Sequence, residues 1–256
     1  AELHCLTNFT FLRGASHPQE LVQRAHALGY RALAITDECS VSGLVRAHVA
    51  AKEIGLPLLA GSELRLDDGT HLVLLATDRR GWGELCGALT RGRRAAAKGG
   101  YRLTRADLES LPLDGCLALW VPGTTPDASA GRWCRERFGT HAWLALELLA
   151  TGRDRERLRA LTALGDELGL PCVAAGDVHM HVRERRRLQD VLTAIRLGVG
   201  VDAAGYALHP NGERSLRSLA RLERLYPAPL LAATVAIAER CTFSLDELRY
   251  EYPDEL

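Results

Sequence analysis

The chain has 256 residues, 47% of them hydrophobic and 25% charged, and its 32 basic and 32 acidic residues give a formal net charge of zero. Those figures suit one globular unit with a sizeable core; they exclude a general polyanion-binding sheath, and no unbroken apolar run approaches the roughly 20 residues that span a bilayer. The seven cysteines (Cys5, Cys39, Cys86, Cys116, Cys134, Cys172, Cys241) form no CxxC pair, so zinc ribbons and disulfide frameworks give way to reduced core thiols in the cytoplasm.

In chain order, ELHCL (2–6) reads as a first strand, and Ser16 with Gln19 as a capping box opening the first helix. Three segments then share one pattern: ALGYRALAITD (27–37), EIGLPLLAGSE (53–63) and ELGLPCVAAGD (167–177). Each reads as a helix end, a capping glycine, a short turn, a buried strand and an acid. THLVLLA (70–76), GCLALWV (115–121) and AWLALEL (142–148) supply further strands. Seven strands alternating with helices predict an α/β barrel, with an open doubly wound sheet as the alternative. RSLRSLARLERLYP (214–227) reads as a basic amphipathic helix carrying Leu216, Leu219 and Leu222 on one side, and PLLAATVAIAERC (229–241) as a more apolar one. The acidic tail DELRYEYPDEL reads as a linker. The expected division is a barrel over 1–205 and a helical extension with linker over 206–256.

Asp37, Glu63 and Asp177 all fall at strand carboxyl ends, which share one face in a barrel. Carboxylates converging there need a cation or an arginine; helix N-capping is the competing role for each. His4 lies on the first strand. Glu63 and His71 flank Asp67-Asp68-Gly69, and a three-residue loop with Gly69 left-handed puts them on one face, whereas a two-residue loop separates them. Asp177 and His179, two apart, face the same way if extended. Histidine nitrogens and carboxylate oxygens together suit Zn²⁺, Mn²⁺ or Fe²⁺. The other histidines (17, 26, 48, 141, 181, 209) read as ordinary core or surface residues.

HCLTNFTFLRGAS, ALAITDECSVSGLVRAH, GSE followed by THLVLLATDRRGW, and AAGDVHMH occur in that order and resemble the motifs of the PHP (polymerase and histidinol phosphatase) superfamily. The nearest likeness is to the form opening bacterial DNA polymerase III alpha subunits. ELHCLTNFTFLRGASHP and HPNGERSLRS are similar to its error-prone, translesion branch. The resemblance implies a distorted seven-stranded barrel with a cleft for up to three metal ions. Some relatives use that cleft as a 3′–5′ exonuclease or phosphoesterase; others keep the domain as a platform for the polymerase and for a proofreading subunit.

By the same resemblance, His4, Glu63, His71, Asp177 and His179 stand at ligand positions, and Glu38 replaces a histidine while remaining able to ligate. Leu6, Arg13 and a position near Pro122 replace ligands with groups that cannot. This favours a platform with no metal or a partial divalent site, with an active nuclease or a histidinol-phosphatase-like enzyme as alternatives. The expected partners are the remainder of a polymerase chain, DNA through that parent, and translesion or proofreading proteins, with no membrane. Arg13 is expected to turn into the cleft and pair with an acid. Three arginine runs, at 91–94, 183–187 and 214–224, are either solvated faces or DNA contacts.

Overall fold

The computed structural model describes residues 1–249, so most of the acidic tail expected as a linker lies outside the described residues. In chain order the elements are α1 (Pro18–Ala27), β1 (Leu33–Ile35), α2 (Leu44–Ile54), β2 (Leu58–Arg65), β3 (His71–Ala76), α3 (Arg79–Arg94), α4 (Arg105–Ser110), β4 (Cys116–Trp120), α5 (Ala128–Phe138), β5 (Ala142–Glu147), α6 (Asp154–Leu168), β6 (Cys172–Ala175), α7 (Arg186–Leu197), α8 (Leu219–Leu225) and α9 (Ala228–Arg240). The six strands form one sheet in sequence order. Only the β2–β3 and β3–β4 pairings are antiparallel, so β3 alone runs against the rest.

The repeated glycine turn is real. Gly29, Gly55 and Gly169 have φ of 79°, 72° and 64°, and a residue without Cβ takes that left-handed cap at no steric cost. Each is followed by a strand whose alternate residues face opposite ways. Ala34, Leu59, Val73, Leu75, Leu117, Leu119, Ala145 and Val173 meet Leu3 inside the curl of the sheet. Ile35, Leu64, Leu72, Leu74, Leu144 and Leu146 face out against Leu21, Ala47, Leu85 and Leu161 of the surrounding helices. This is an α/β fold built on a curled mixed sheet.

ELHCL is not a regular strand. It makes isolated parallel bridges, Glu2 to Leu33 on one side and Cys5 to Val178 on the other. The cause is local: the buried Glu2 carboxylate accepts from the Leu3, His4 and Gly176 N–H groups, which breaks the strand alternation. Six strands, rather than the expected seven, are therefore formed among the described residues. The first cap also differs. His17, not Ser16, precedes the helix, and its N–H donates to Glu20, while Ser16 Oγ contacts His181 Nδ1 at 2.8 Å.

The expected helix over 214–227 shrinks to α8. Its first residues are extended, because Ser215 bridges Met180 and the Arg214 carbonyl accepts from the His179 and Met180 N–H groups; Ser218 then caps the short helix. Helix α9 packs onto the same body: its Ile237 joins the inner cluster, and the N-terminal amine donates to Thr234. The stretch Ala228–Glu247 has a hydropathy of 1.3, yet α9 ends at Arg240 after 13 residues. That is about 20 Å, against about 30 Å for a hydrocarbon core.

Candidate metal centre

The inward-facing side of the sheet changes from apolar to charged at one end. Glu63 and Arg65 close β2, His71 opens the reversed β3, and Glu147 ends β5, all with inward parity. Asp177 follows β6. Inside a curled sheet these ends converge, which is why residues scattered from 4 to 214 in the sequence share one pocket.

The hairpin follows the three-residue alternative. Leu66 N donates to the Thr70 carbonyl, Gly69 has φ 86°, and Arg65 pairs with His71. Glu63 and His71 are therefore diagonal neighbours on one face, with His71 Nε2 3.3 Å from Glu63 Oε1. His4 Nε2 lies 2.9 Å from Glu63 Oε2 and its Nδ1 2.9 Å from Glu147 Oε1. Arg13 pairs with Glu38 and donates to Glu63 at 2.9 Å, and Arg65 Nε donates to the same carboxylate at 2.9 Å. Asp177 contacts His179 Nε2 at 2.8 Å and pairs with Arg214. Asp177 takes φ 44°, a backbone strain of the kind that collects at functional sites.

Burial alone would lower the His4 pKa, but its hydrogen bonds to Glu147 and Glu63 outweigh it and raise the value to about 9. Burial would raise Glu147, and His4 pulls it down to about 2. Glu63, against its burial, is held well below the carboxylate range by His4 and His71. Burial and Arg13 lower His179 to about 3, and burial with His179 and Arg13 lowers His209 to about 4. At neutral pH those two are neutral, and Glu38, Glu63, Glu147 and Asp177 face Arg13, Arg65, Arg214 and protonated His4. The cluster balances its own charge.

Two of the six expected site residues, Glu38 and His179, lie outside the two groups whose ligand atoms converge. Glu38 is tied up by Arg13 and by the Tyr101 hydroxyl at 2.9 Å. His179 contacts Asp177 and leaves Nδ1 buried without a partner among the described residues. Asp37, expected among the converging acids, instead accepts from the Thr7 N–H and the Thr7 and Thr10 hydroxyls; those donors hold the 7–10 loop against β1. Sequence reasoning missed Glu147, although AWLALE carries an acid at a strand end of the correct parity. It also missed His209, whose ring stacks edge-on with His179 at 5.3 Å, because nothing in HPNGE marks where that loop returns. His4, Glu63 and His71, and separately His4, Glu147 and Asp177, offer ligand atoms within 4.8 Å of one another. Those nitrogen and oxygen donors fit a divalent ion. A bound ion there would polarise or deprotonate a water.

The arginine runs are largely consumed internally. Arg93 donates to the Cys39 carbonyl, Arg185 pairs with Glu20, Arg183 and Arg221 face Glu213, and Arg217 is buried on the Leu148 carbonyl.

Residues 2–123 match the PHP domain family. That match covers the N-terminal part of the chain, from the first bridge to just past β4. Over its whole length it is 60% identical to the error-prone DNA polymerase of Methylococcus capsulatus and 59% identical to that of Dechloromonas aromatica. It spans only 24% and 25% of those proteins, matching their N-terminal part. Among solved structures, an amidohydrolase from Chromobacterium violaceum, with sulfate bound and no metal, superposes with a TM-score of 0.54 at 16% identity, over 70% of this chain and 87% of that one. A provisional metal-dependent phosphoesterase from Bifidobacterium adolescentis gives 0.53 at 17%, with the same coverage. At that identity the likeness concerns the fold.

Proposed function

We propose that this PHP domain serves an error-prone DNA polymerase, active in translesion synthesis in the cytoplasm, as a structural platform whose metal site is degenerate. The carrying observation is the set of guanidinium–carboxylate pairs in the cleft. Arg13 and Arg65 both engage Glu63, and Arg214 engages Asp177, so the carboxylates best placed to hold an ion already have positive partners. Arginine stays charged at any working pH and binds carboxylates through a planar fork. An ion entering the cluster must displace those guanidinium contacts, so only a partial site for Zn²⁺, Mn²⁺ or Fe²⁺ remains, centred on His4 with Glu63 and His71 or with Glu147 and Asp177. In the finer reading of the fold, residues 2–6 are the irregular seventh member that closes the curled sheet into a PHP-type barrel. Bridges to both of its edges support this.

Metal analysis of protein purified without chelator, paired with a labelled-primer degradation assay in Mn²⁺ or Zn²⁺, tests the proposal. Substoichiometric metal and no degradation are expected. Robust degradation that Asp177→Asn abolishes would replace the platform with an active 3′–5′ exonuclease or phosphoesterase.

A further inference from the structure

Helix α7 is built inside out. Its buried positions are Gln189, Thr193 and Ala194, with Gln189 Oε1 lacking a partner among the described residues, while Leu188, Val191 and Ile195 stand in the open. Ile195 is 57% exposed. An amphipathic helix on a protein surface points its apolar stripe at the core; this one points it away. Past the helix, Val199, Val201 and Tyr206 are exposed as well. On the other side, Leu188 and Leu192 share a groove of about 270 Å³ with Phe11. Phe11 is 84% exposed, and the next residue, Leu12, takes a left-handed φ of 58°. A β-carbon-bearing residue in that region is strained by about 1–3 kcal/mol, so the loop holds Phe11 outward at a cost.

An apolar helix face turned to solvent beside an apolar groove marks an interaction site. Relatives 59–60% identical over all of this chain carry about three quarters of their length outside the matched region. We infer that the α7 face, with Phe11 and the 199–206 segment, is the seat on which the rest of the polymerase chain docks through a complementary apolar surface. This rests on the platform reading and says where the load is carried: on α7, beside Arg13 and one loop away from the metal cleft. A polymerase segment lying on Phe11 would bear on the 7–14 loop that carries Arg13.

The test places Ile195→Cys in the full polymerase chain and in the 256-residue chain, and follows maleimide labelling of that thiol by peptide mass spectrometry. Val45→Cys, at a 62% exposed position of α2, is the control. In the full chain the Ile195→Cys thiol should label slower by about tenfold or more, as expected for a site exposed only by local opening, with the control labelling equally in both. Equal rates at Ile195→Cys would overturn the inference. Slowing in the 256-residue chain that grows with its concentration would overturn it too, by showing a second copy on the face. Primer extension by the same full chain keeps the readings apart. If it fails, the polymerase parent is wrong; if it succeeds while Ile195→Cys labels freely, only the docking seat is wrong.

Discussion

Replacing Arg13 with alanine removes the cation that joins Glu38 to Glu63. Arg13 is 17% exposed and Glu63 fully buried, so the pair is shielded from bulk water. Breaking a buried ion pair by deleting one partner costs about 3–5 kcal/mol. Glu63 is not orphaned, however: Arg65 Nε and His4 Nε2 stay within 2.9 Å of it, and Glu38 keeps the Tyr101 hydroxyl. Discounting for these and for water entering the vacated space, the expected loss is about 2–3 kcal/mol. For a domain of this size that lowers Tm by about 4–12 °C. Urea and thermal unfolding at pH 7, followed by circular dichroism and tryptophan fluorescence, measure it. Arg13→Lys, which keeps the charge and loses the fork, should fall between wild type and alanine. A double-mutant cycle with Glu63→Gln should show the two losses coupled by about 1 kcal/mol or more. Arg13→Ala stability within about 0.5 kcal/mol of wild type, or strict additivity with Glu63→Gln, would refute the view that Arg13 replaces metal charge.

His4 carries a pH signature. Its folded pKa of about 9 exceeds the ordinary 6.5, so its contribution is complete below pH 6.5 and fades as pH rises through about 9; His4→Gln should flatten that alkaline decline, and an imidazole resonance titrating near 6.5 would contradict it. Glu147 runs the other way: lowered to about 2, it stabilises above about pH 4.5 and loses its effect as pH falls towards 2, so Glu147→Gln should shrink the acid limb of the stability curve. An unchanged limb would remove Glu147 from the network. Gly176→Ala should destabilise by about 1–3 kcal/mol, because its Cβ would sit 2.3 Å from Glu2 Oε2 and displace the carboxylate that holds the His4 N–H; a wild-type melting curve would show that Glu2 moves freely.

Local rules carried most of the architecture. The glycine caps at 29, 55 and 169, the alternating strands and the Gly69 hairpin all depend on neighbours within a few residues, and all were legible in the sequence. The arginine at position 13 was visible as a misplaced charge among expected ligands, and its inward turn followed from the need to neutralise converging carboxylates. Where the reading failed, long-range contacts had decided. Asp37 has the same place in its repeat as Glu63 and Asp177, but Thr7 and Thr10 arrive from the N-terminal loop and take its oxygens. ELHCL has a strand's composition, yet Glu2 is drawn to the Gly176 N–H, 174 residues away, and breaks the alternation. The helix over 214–218 had the right periodicity and lost its backbone to Met180 and His179. Glu147, Arg214 and His209 reach the cleft only because the sheet curls. Sequence sets the face each side chain presents; which faces then meet is settled by closure, where a buried polar group takes whichever partner the fold brings within hydrogen-bond reach.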